Sequence, residues 1–480
     1  MLFNSLQFAL FFPLVALLHW LLPFRLRWPL LLAASYYFYM QWRIDYALLL
    51  VVSTVIDYAA SLGIARNEDP AARKRWLLLS IASNLGILFF FKYFNFLNDS
   101  FRGLFAQAGW AYAVPDLDVL LPMGISFYTF QTLSYTIDVY RGHIQPTRHF
   151  GRFALYVTFF PQLVAGPIER APSLLPQFFR ERSYDHARTI AGLKQMLWGF
   201  FKKLVIADRC AVVVDEVFNH PGQHDGASIL LATFLFALQI YGDFSGYSDI
   251  AIGGARVLGY DLMQNFRTPY GATSISAFWS KWHISLSTWF RDYLYIPLGG
   301  NRVIRWRWYF NLAVVFLVSG LWHGANWTFV IWGALHGLYL ILALVCAPFW
   351  KRFDAATGLA RMPRLKQALN VAVTFALVLL TWTVFRANRV GDLPVLFKAM
   401  WNMQPSLALT VIPVVQLGIL SVTTLLAVLF FLVDGRVDRW AKGERPWGAR
   451  WKEYGFCGAL LAFILIFGHF GGTAFIYFQF

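Results

Sequence analysis

The sequence predicts an all-α, polytopic integral membrane protein. Of its 480 residues, 58% are apolar and only 14% are charged, which is far more apolar than a soluble protein needs to fill its core. Several runs of about 18 or more residues carry almost no charge, as membrane helices do. The 47 Phe, 22 Tyr and 20 Trp suit side chains at both membrane interfaces and in a packed intramembrane core.

The apolar runs give the order of the expected helices. They are Leu6 to Leu22, Trp28 to Trp42, Tyr46 to Ala65, Trp76 to Leu97, Val119 to Tyr140, Ala191 to Val214, Ile229 to Ile252, Asn311 to Val345, Leu369 to Phe385, Val411 to Val433 and Phe456 to Phe475. The first run lacks a basic leader and a small-residue cleavage site, so we expect a retained helix rather than a signal peptide.

The formal charge of +16 comes largely from short loops between these runs. Arg25, the stretch 66–75 and the stretch 141–152 follow the first, third and fifth runs. Basic loops stay on the cytoplasmic side, so this pattern predicts an N-terminus outside the inner membrane. The same pattern favours an orientation signal over a nucleic-acid surface. We expect no nucleic-acid partner.

Two further segments are aromatic but unsuited to crossing lipid alone. The stretch 153–188 contains four prolines, which interrupt helical hydrogen bonding, and 267–302 is amphipathic and polar. Such segments are typical of re-entrant or surface-lying helices that shape a cavity. No internal repeat is visible, and we expect a single domain over residues 1–480 with its motif-rich part at about 119–345.

The run from Asn311 to Val345 is the most informative. It has no Asp, Glu, Lys or Arg, and as one helix it would extend roughly 52 Å against about 30 Å of hydrocarbon. We expect it to break near Gly320, Gly324 and Asn326, which surround His323. This histidine either packs as a core residue or lines a cavity deep in the membrane, and its neighbours favour the cavity.

The other polar residues in apolar context have more than one interpretation. His336 is expected to pack in the core, since it does not share a helical face with His323. His283 belongs to a pattern with helical spacing, which predicts an amphipathic helix and leaves packing and function equally open. Other charges in or next to apolar runs are expected to pair as internal struts, namely Asp243, Asp249, Lys92 and Arg386.

Several chemistries leave no trace in the sequence. There is no G-x-S-x-G elbow, H-E-x-x-H zinc motif, P-loop or G-x-G-x-x-G. The three cysteines are scattered, which indicates neither a disulfide framework nor a metal site. His220 and Asp225 stand in a short polar loop and fit a solvated turn better than a catalytic motif.

An ordered set of motifs resembles the AlgI-like branch of the membrane-bound O-acyltransferases (MBOAT). The motifs are "MLFNSLQFALFFPL", "LPMGISFYTFQTLSYTIDVYRG", "YVTFFPQLVAGPIER", "YGDFSGYSDIAIG", "NFRTPY", "FWSKWHISLSTWFRDYLYIPLGGNR", "GLWHGANWTFVIWGALHG" and "FIYFQF". They cover most of 121–337 and both ends of the sequence. The resemblance implies about 11 to 13 membrane-embedded helices, each of the usual length for a membrane span, that ring a central funnel.

The resemblance also implies a reaction. An acyl group, acetyl in this branch, would pass from a cytoplasmic thioester, acetyl-CoA or another acyl donor, to hydroxyls of an extracytoplasmic polysaccharide. It implies His323 and His283 as catalytic residues, with Asn326, Trp322, Trp282 and Asp243 as candidates for lining the substrate channel. A periplasmic, SGNH-like partner acyltransferase is expected beside membrane lipid, with no metal and no tightly bound cofactor.

Chemistry and alternatives follow from these residue types. His323 suits a general base or a transient acyl carrier, and His283 suits a group that orients or polarises the thioester. The same architecture would also serve peptidoglycan, cellulose or, with D-alanine, teichoic acid. A transporter is the rival from another class, but transporters commonly show repeated halves, which this sequence lacks.

Overall fold

The computed structural model describes residues 1–402, 425, 430, 433–443, 450–470, 475 and 476. Every regular element among these described residues is a helix, so the all-α prediction is confirmed for this part of the chain. The chain divides into two compact units, residues 1–196 with 247–263 and residues 197–246 with 264–480. The expected single domain over 1–480 stays a prediction.

The first unit is built mainly from the helices that precede residue 197, with the last turns of α12 added. Its helices are α1 (Leu6–Leu21), α2 (Phe24–Met40), α3 (Asp45–Arg66), α4 (Pro70–Leu88), α5 (Phe94–Gln107), α6 (Ile125–Tyr140), α7 (Phe150–Thr158), α8 (Phe160–Leu163), α9 (Ala171–Leu174) and most of α10 (His186–Phe201).

The second unit begins within α10 and contains most of the later helices. They are α11 (Asp208–Asn219), the first part of α12 (Gly226–Val257), α13 (Ile275–Trp279), α14 (Ile284–Phe290), α15 (Arg305–His323), α16 (Trp327–Val345), α17 (Ala347–Ala356), α18 (Pro363–Arg386), α19 (Asp392–Asn402) and α20 (Arg450–Phe467). Residues 433–441 are also helical.

Five of the described helices are long and apolar enough to cross a membrane: Asp45–Arg66, Pro70–Gln107, Gly226–Val257, Trp327–Val345 and Pro363–Arg386. The second of these runs through α4, a π-helical turn and α5 without interruption. Each of these helices overlaps a predicted run. The bounds agree closely at Asp45–Arg66, Pro70–Gln107 is longer than its predicted run at both ends, and Trp327–Val345 is only the second part of the run from Asn311 to Val345. The predicted run from Val411 to Val433 lies almost wholly outside the described residues.

A buried polar cluster explains how the first unit accommodates an aspartate in a membrane helix. Asp57 of α3 is fully buried, and its carboxylate accepts hydrogen bonds from Ser80 at 2.5 Å and from Asn84 Nδ2 at 2.9 Å, both on α4. Polar groups in hydrocarbon need such partners, because each unsatisfied one costs about 2 to 7 kcal/mol. The cluster therefore ties α3 to α4.

The helix pair α15 and α16 positions the most polar part of the second unit. Helix α15 ends at His323, and α16 begins at Trp327 after a break of three residues. The expected interruption of the long apolar run is thus confirmed. The two helices approach closely at Gly320 and Gly333, where an added Cβ would lie 2.2 Å from a carbonyl oxygen of the opposite helix.

Candidate active site

His323 is the last residue of α15 and is 2% exposed. Its imidazole packs edge-on against Trp332, with ring centroids 4.9 Å apart, and against Phe385 at 5.6 Å. Because Gly324 ends the helix in an extended conformation, the histidine stands at the bend rather than inside a continuous helix. The chain therefore presents a buried imidazole where helical packing is interrupted.

His283 corrects the expectation of one amphipathic helix. Helix α13 ends at Trp279 and α14 begins at Ile284, and His283 lies between them with φ 42° and ψ 56°. Left-handed backbone is uncommon for residues other than glycine and costs about 1 to 3 kcal/mol. Its helical spacing in the sequence is therefore a consequence of two short helices on either side of a strained turn.

The strained turn is held by Asn265, a residue that sequence reasoning did not single out. The backbone N–H of Ile284 donates to the Asn265 carbonyl at 2.9 Å, and the Ser285 hydroxyl donates to Asn265 Oδ1 at 2.6 Å. Asn265 and Ser285 are 1% and 0% exposed. The only signal in the sequence was its place in the motif "NFRTPY". Strain that is fixed by a buried clamp is typical of functional sites.

The two histidines lie together although forty positions separate them in the sequence. Their ring centroids are 6.3 Å apart at an angle of 58°, and Trp322 packs against both rings. A hydrogen bond spans about 2.6 to 3.2 Å, so a small group between the rings would reach both imidazoles. This arrangement can remove a proton from one reactant and polarise a carbonyl of another.

Burial sets the charge state of His283. Its segment lies outside the five candidate spans, and desolvation lowers the pKa of its imidazole well below the ordinary value. The folded chain therefore keeps this side chain neutral at physiological pH. A neutral imidazole carries one donor and one acceptor nitrogen, which suits it to orient or polarise a carbonyl group.

Trp282 and Trp322 belong to an aromatic wall around the histidines. Trp282 is fully buried, with ring centroids 5.0 Å from Trp382 and 5.1 Å from Phe266, and Trp322 is 3% exposed. Tightly packed rings of this kind fix the histidine orientations and exclude water. Whether either tryptophan lines a substrate channel stays a prediction.

Asn326 and Asp243 have structural partners. The Asn326 side chain caps α16 by accepting from the Thr328 N–H at 3.0 Å, and its Nδ2 donates to the Asn388 carbonyl at 3.0 Å. Asp243 forms an ion pair with Lys203 at 2.8 Å. The bend after His323 thus depends on Asn326, because the amide side chain satisfies an otherwise unpaired N–H at the helix start. Their channel roles stay predictions.

The remaining polar residues mostly fit the packing interpretation. His336 Nδ1 accepts from the Trp279 indole at 3.3 Å, and its Nε2 lies 3.0 Å from the Thr381 hydroxyl, so both ring nitrogens are satisfied. Arg386 pairs with Asp215 at 2.7 Å rather than with another of the charges singled out in the sequence. Among the described residues no group of three metal-ligating side chains lies together, and the expectation of no metal stays a prediction.

A cavity of about 450 Å³ lies between the helices α13 to α16, and its lining includes neighbours of both histidines but neither histidine itself. Ile284 and Ser287 line it on α14, directly after His283, and Ser319 lines it on α15. Ser319 precedes His323 by four residues, so the two side chains share one helical face one turn apart. The volume falls within the usual range for small-molecule sites, about 300 to 1,000 Å³.

Comparison with known proteins identifies the family of the sequence. The model of the membrane-bound O-acyltransferase (MBOAT) family matches residues 147–386, a range that contains both histidines. The chain belongs to this family. Like other MBOAT members, it is a multi-pass membrane O-acyltransferase. The resemblance in the sequence is thereby confirmed, including its AlgI-like branch, since the chain shares 41% of 404 residues with an AlgI protein.

Three MBOAT relatives show the range of named activities. The protein is 41% identical to the probable alginate O-acetylase AlgI of Pseudomonas aeruginosa, over 84% of this chain and 75% of that one. It is 37% identical to the peptidoglycan O-acetyltransferase of Helicobacter pylori, over 77% and 73% of the two chains. The teichoic acid D-alanyltransferase of Bacillus subtilis is 25% identical over 56% and 70%.

Proposed function

We propose that this MBOAT protein transfers an acetyl group from a cytoplasmic thioester to hydroxyls of an extracytoplasmic polysaccharide, in the bacterial inner membrane. The observation that carries the proposal is the pair of buried imidazoles, 6.3 Å apart, at two adjacent interruptions of helical structure. The names of the relatives that cover most of this chain support an acetyl group and an envelope glycan.

His323 acts as the base or as the transient acyl carrier. As base, a neutral imidazole nitrogen takes the proton of the acceptor hydroxyl while the oxygen attacks the thioester carbonyl, and the thiolate leaves with a proton. As carrier, the same nitrogen attacks the thioester first, which releases the thiol and forms an acyl-imidazole. The acceptor hydroxyl then attacks the acyl carbonyl, forms the ester and releases the imidazole. Both routes end in an oxygen ester and a free thiol.

His283 orients the thioester in either route. Its neutral ring has one N–H with which to donate to the carbonyl oxygen, where negative charge develops in the transition state. The Asn265 clamp matters here because a donor must be fixed before the reaction to stabilise that charge without reorganisation. A mobile His283 would have to be ordered in every turnover.

The donor is acetyl-CoA or another acyl thioester, and the 450 Å³ cavity supports a route for its acyl end. The cavity lining is mainly apolar, with hydroxyls from Ser287, Thr288 and Ser319 and a guanidinium from Arg291. Ser319→Leu would add bulk to the cavity one turn from His323. We expect this variant to raise the KM for the donor more than it lowers kcat, and an unchanged KM would exclude the cavity as the donor route.

The acceptor is an exopolysaccharide, reached directly or through an SGNH-like periplasmic acyltransferase. Peptidoglycan O-acetylation is the second candidate, because the Helicobacter pylori relative is matched over most of both chains. The basic loops support a cytoplasmic position for 66–75 and 141–152 and a periplasmic N-terminus.

Envelope glycans from a deletion strain, with and without the intact chain, test the acceptor. Mild alkali releases ester-linked acyl groups, and mass spectrometry of each purified glycan identifies the group and its carrier. Acetate on an exopolysaccharide in the complemented strain alone is the expected result. Acetate on peptidoglycan alone would identify peptidoglycan as the acceptor, and D-alanine on a teichoic acid would show that the transferred group is not acetyl.

A further inference from the structure

A buried ion cluster in the second unit has no part in the proposed chemistry. Lys203 Nζ lies 2.8 Å from Asp208 Oδ1 and 2.8 Å from Asp243 Oδ1, and the three side chains are only 6%, 3% and 4% exposed. Desolvating charges is costly, so a buried carboxylate is normally held by ion pairs and hydrogen bonds. Asp243 uses one oxygen for the lysine and has a second for another partner.

Asp243 binds a backbone amide far away in the sequence. Its Oδ2 accepts from the N–H of Ile476 at 2.7 Å, a buried and charge-assisted hydrogen bond. Two backbone contacts fix the preceding residues in the same unit. The His469 N–H donates to the Leu204 carbonyl at 3.0 Å, and Arg209 Nε donates to the Phe467 carbonyl at 2.9 Å.

The segment held by Asp243, Phe475–Ile476, adds to the aromatic packing around His283 through Phe244. The Phe475 ring lies 5.6 Å from Phe244, and the Phe244 ring lies edge-on to His283 at 4.6 Å. Phe475 and Ile476 are 2% and 3% exposed, so both pack in the interior. The Phe244 ring also contacts Phe266 at 5.0 Å, so displacement of the segment would remove one of the rings that hold Phe244 against His283.

We propose that Asp243 is a positioning residue that anchors the segment Phe475–Ile476 and thereby fixes the aromatic wall behind His283. The effect on turnover rests on the proposed acyl transfer, but the anchoring does not. Lys203 and Asp208 hold the carboxylate in place, one Asp243 oxygen meets the lysine, and the other meets the amide. Asp243 thus acts through the segment and touches no reacting atom.

Cysteine reactivity tests the anchor without any acyl transfer. In a variant whose Cys210, Cys346 and Cys457 are replaced, Ile476→Cys keeps its backbone N–H and is expected to react slowly with a membrane-permeant maleimide. Adding Asp243→Leu removes the acceptor and should raise the rate at least about tenfold, the value of one charged hydrogen bond. Ile464→Cys, 6% exposed on α20, is the control for general loosening and should stay slow in both backgrounds.

Asp243→Asn separates the hydrogen bond from the charge. Its amide oxygen can still accept from the Ile476 N–H, so we expect slow labelling at 476. Because its Nδ2 then faces Lys203 Nζ, we expect acylation per folded molecule to fall, but by less than in Asp243→Leu. Asp243→Leu should lower acylation by roughly 100-fold, the cost of misplacing a catalytic group by about 1 Å. If Asp243→Leu does not fold, Ile476→Pro removes the donor and leaves the ion cluster intact. Phe475→Cys, at a position 2% exposed, then replaces Ile476→Cys as the labelled residue, with and without Ile476→Pro.

Each outcome decides the proposal. Faster labelling at 476 together with weaker acylation supports it. Unchanged labelling at 476 in Asp243→Leu, or at 475 when Ile476→Pro is added, overturns the anchor. Faster labelling with unchanged acylation overturns the positioning role. Equal loss of acylation in Asp243→Asn and Asp243→Leu, with residue 476 still protected, assigns the effect to the charge and also overturns it. An intact chain that acylates nothing would remove the proposed function while the labelling result stands.

Discussion

Gly320→Ala perturbs the site through the helix pair that carries His323. The added Cβ would lie 2.2 Å from the Phe329 carbonyl oxygen, whereas ordinary contact begins at 3.4 Å. Helices α15 and α16 must therefore separate by about 1 Å, since a backbone carbonyl cannot rotate away as a side chain would. His323 lies one turn after Gly320, and a catalytic group displaced by about 1 Å loses roughly 100-fold in rate.

Gly337→Ala provides the matched control on the same helix pair. Its added Cβ would lie 3.3 Å from the Phe316 side chain, a contact that a small shift relieves. We expect Gly320→Ala to lose about 100-fold in acylation per folded molecule and about 1 to 3 kcal/mol in stability, and Gly337→Ala to change little. Acyl-ester release and melting in detergent measure both effects. A Gly320→Ala protein with normal acylation and melting would refute the close-packing argument.

Three further predictions concern other residues. His283→Gln is expected to lower acylation per folded molecule by roughly 10- to 1000-fold. The double variant with His323→Ala should be little worse than His323→Ala alone, because residues that act together lose activity non-additively. Unchanged specific activity in His283→Gln would remove His283 from the site. Thr381→Val takes away the partner of His336 Nε2 and should cost about 1 to 3 kcal/mol of stability with acylation per folded molecule retained; a selective loss of acylation would give His336 a catalytic role. Cysteines placed at Ala71 and Thr147 should resist a membrane-impermeant reagent in intact cells, and ready labelling at both would reverse the orientation.

The helices could be predicted from the sequence because apolar periodicity and run length reflect local requirements of a bilayer. The break near His323 was predictable for the same reason, since a run from Asn311 to Val345 exceeds the membrane thickness and carries its glycines at one place. The break divides the run into α15 and α16, and these two helices approach closely at Gly320 and Gly333.

The conformation at His283 could not be predicted, because Asn265, which stabilises it, lies 18 residues earlier in the sequence. The Asn265 side chain and carbonyl bind the first turn of α14 and hold His283 in left-handed backbone. Tryptophans on either side of the turn keep helical spacing, which conceals the interruption. Asp243 is similar, since the residues that bind its carboxylate, Lys203 and Ile476, lie distant in the sequence.

The role of His323 in the chemical step can be tested with His323→Ala, with His336→Gln as the matched control. Both histidines are buried, at 2% and 0% exposure, but of the two it is His323 whose ring lies 6.3 Å from the His283 imidazole. With folded protein equalised by fluorescence-detected size exclusion, His323→Ala should leave ester-linked acyl groups on the envelope glycan at the level of the deletion strain, because removal of a base or acyl carrier abolishes the chemical step. His336→Gln should keep most of its acylation per folded molecule. Near-normal acylation by a folded His323→Ala protein would exclude His323 both as the base and as the acyl carrier.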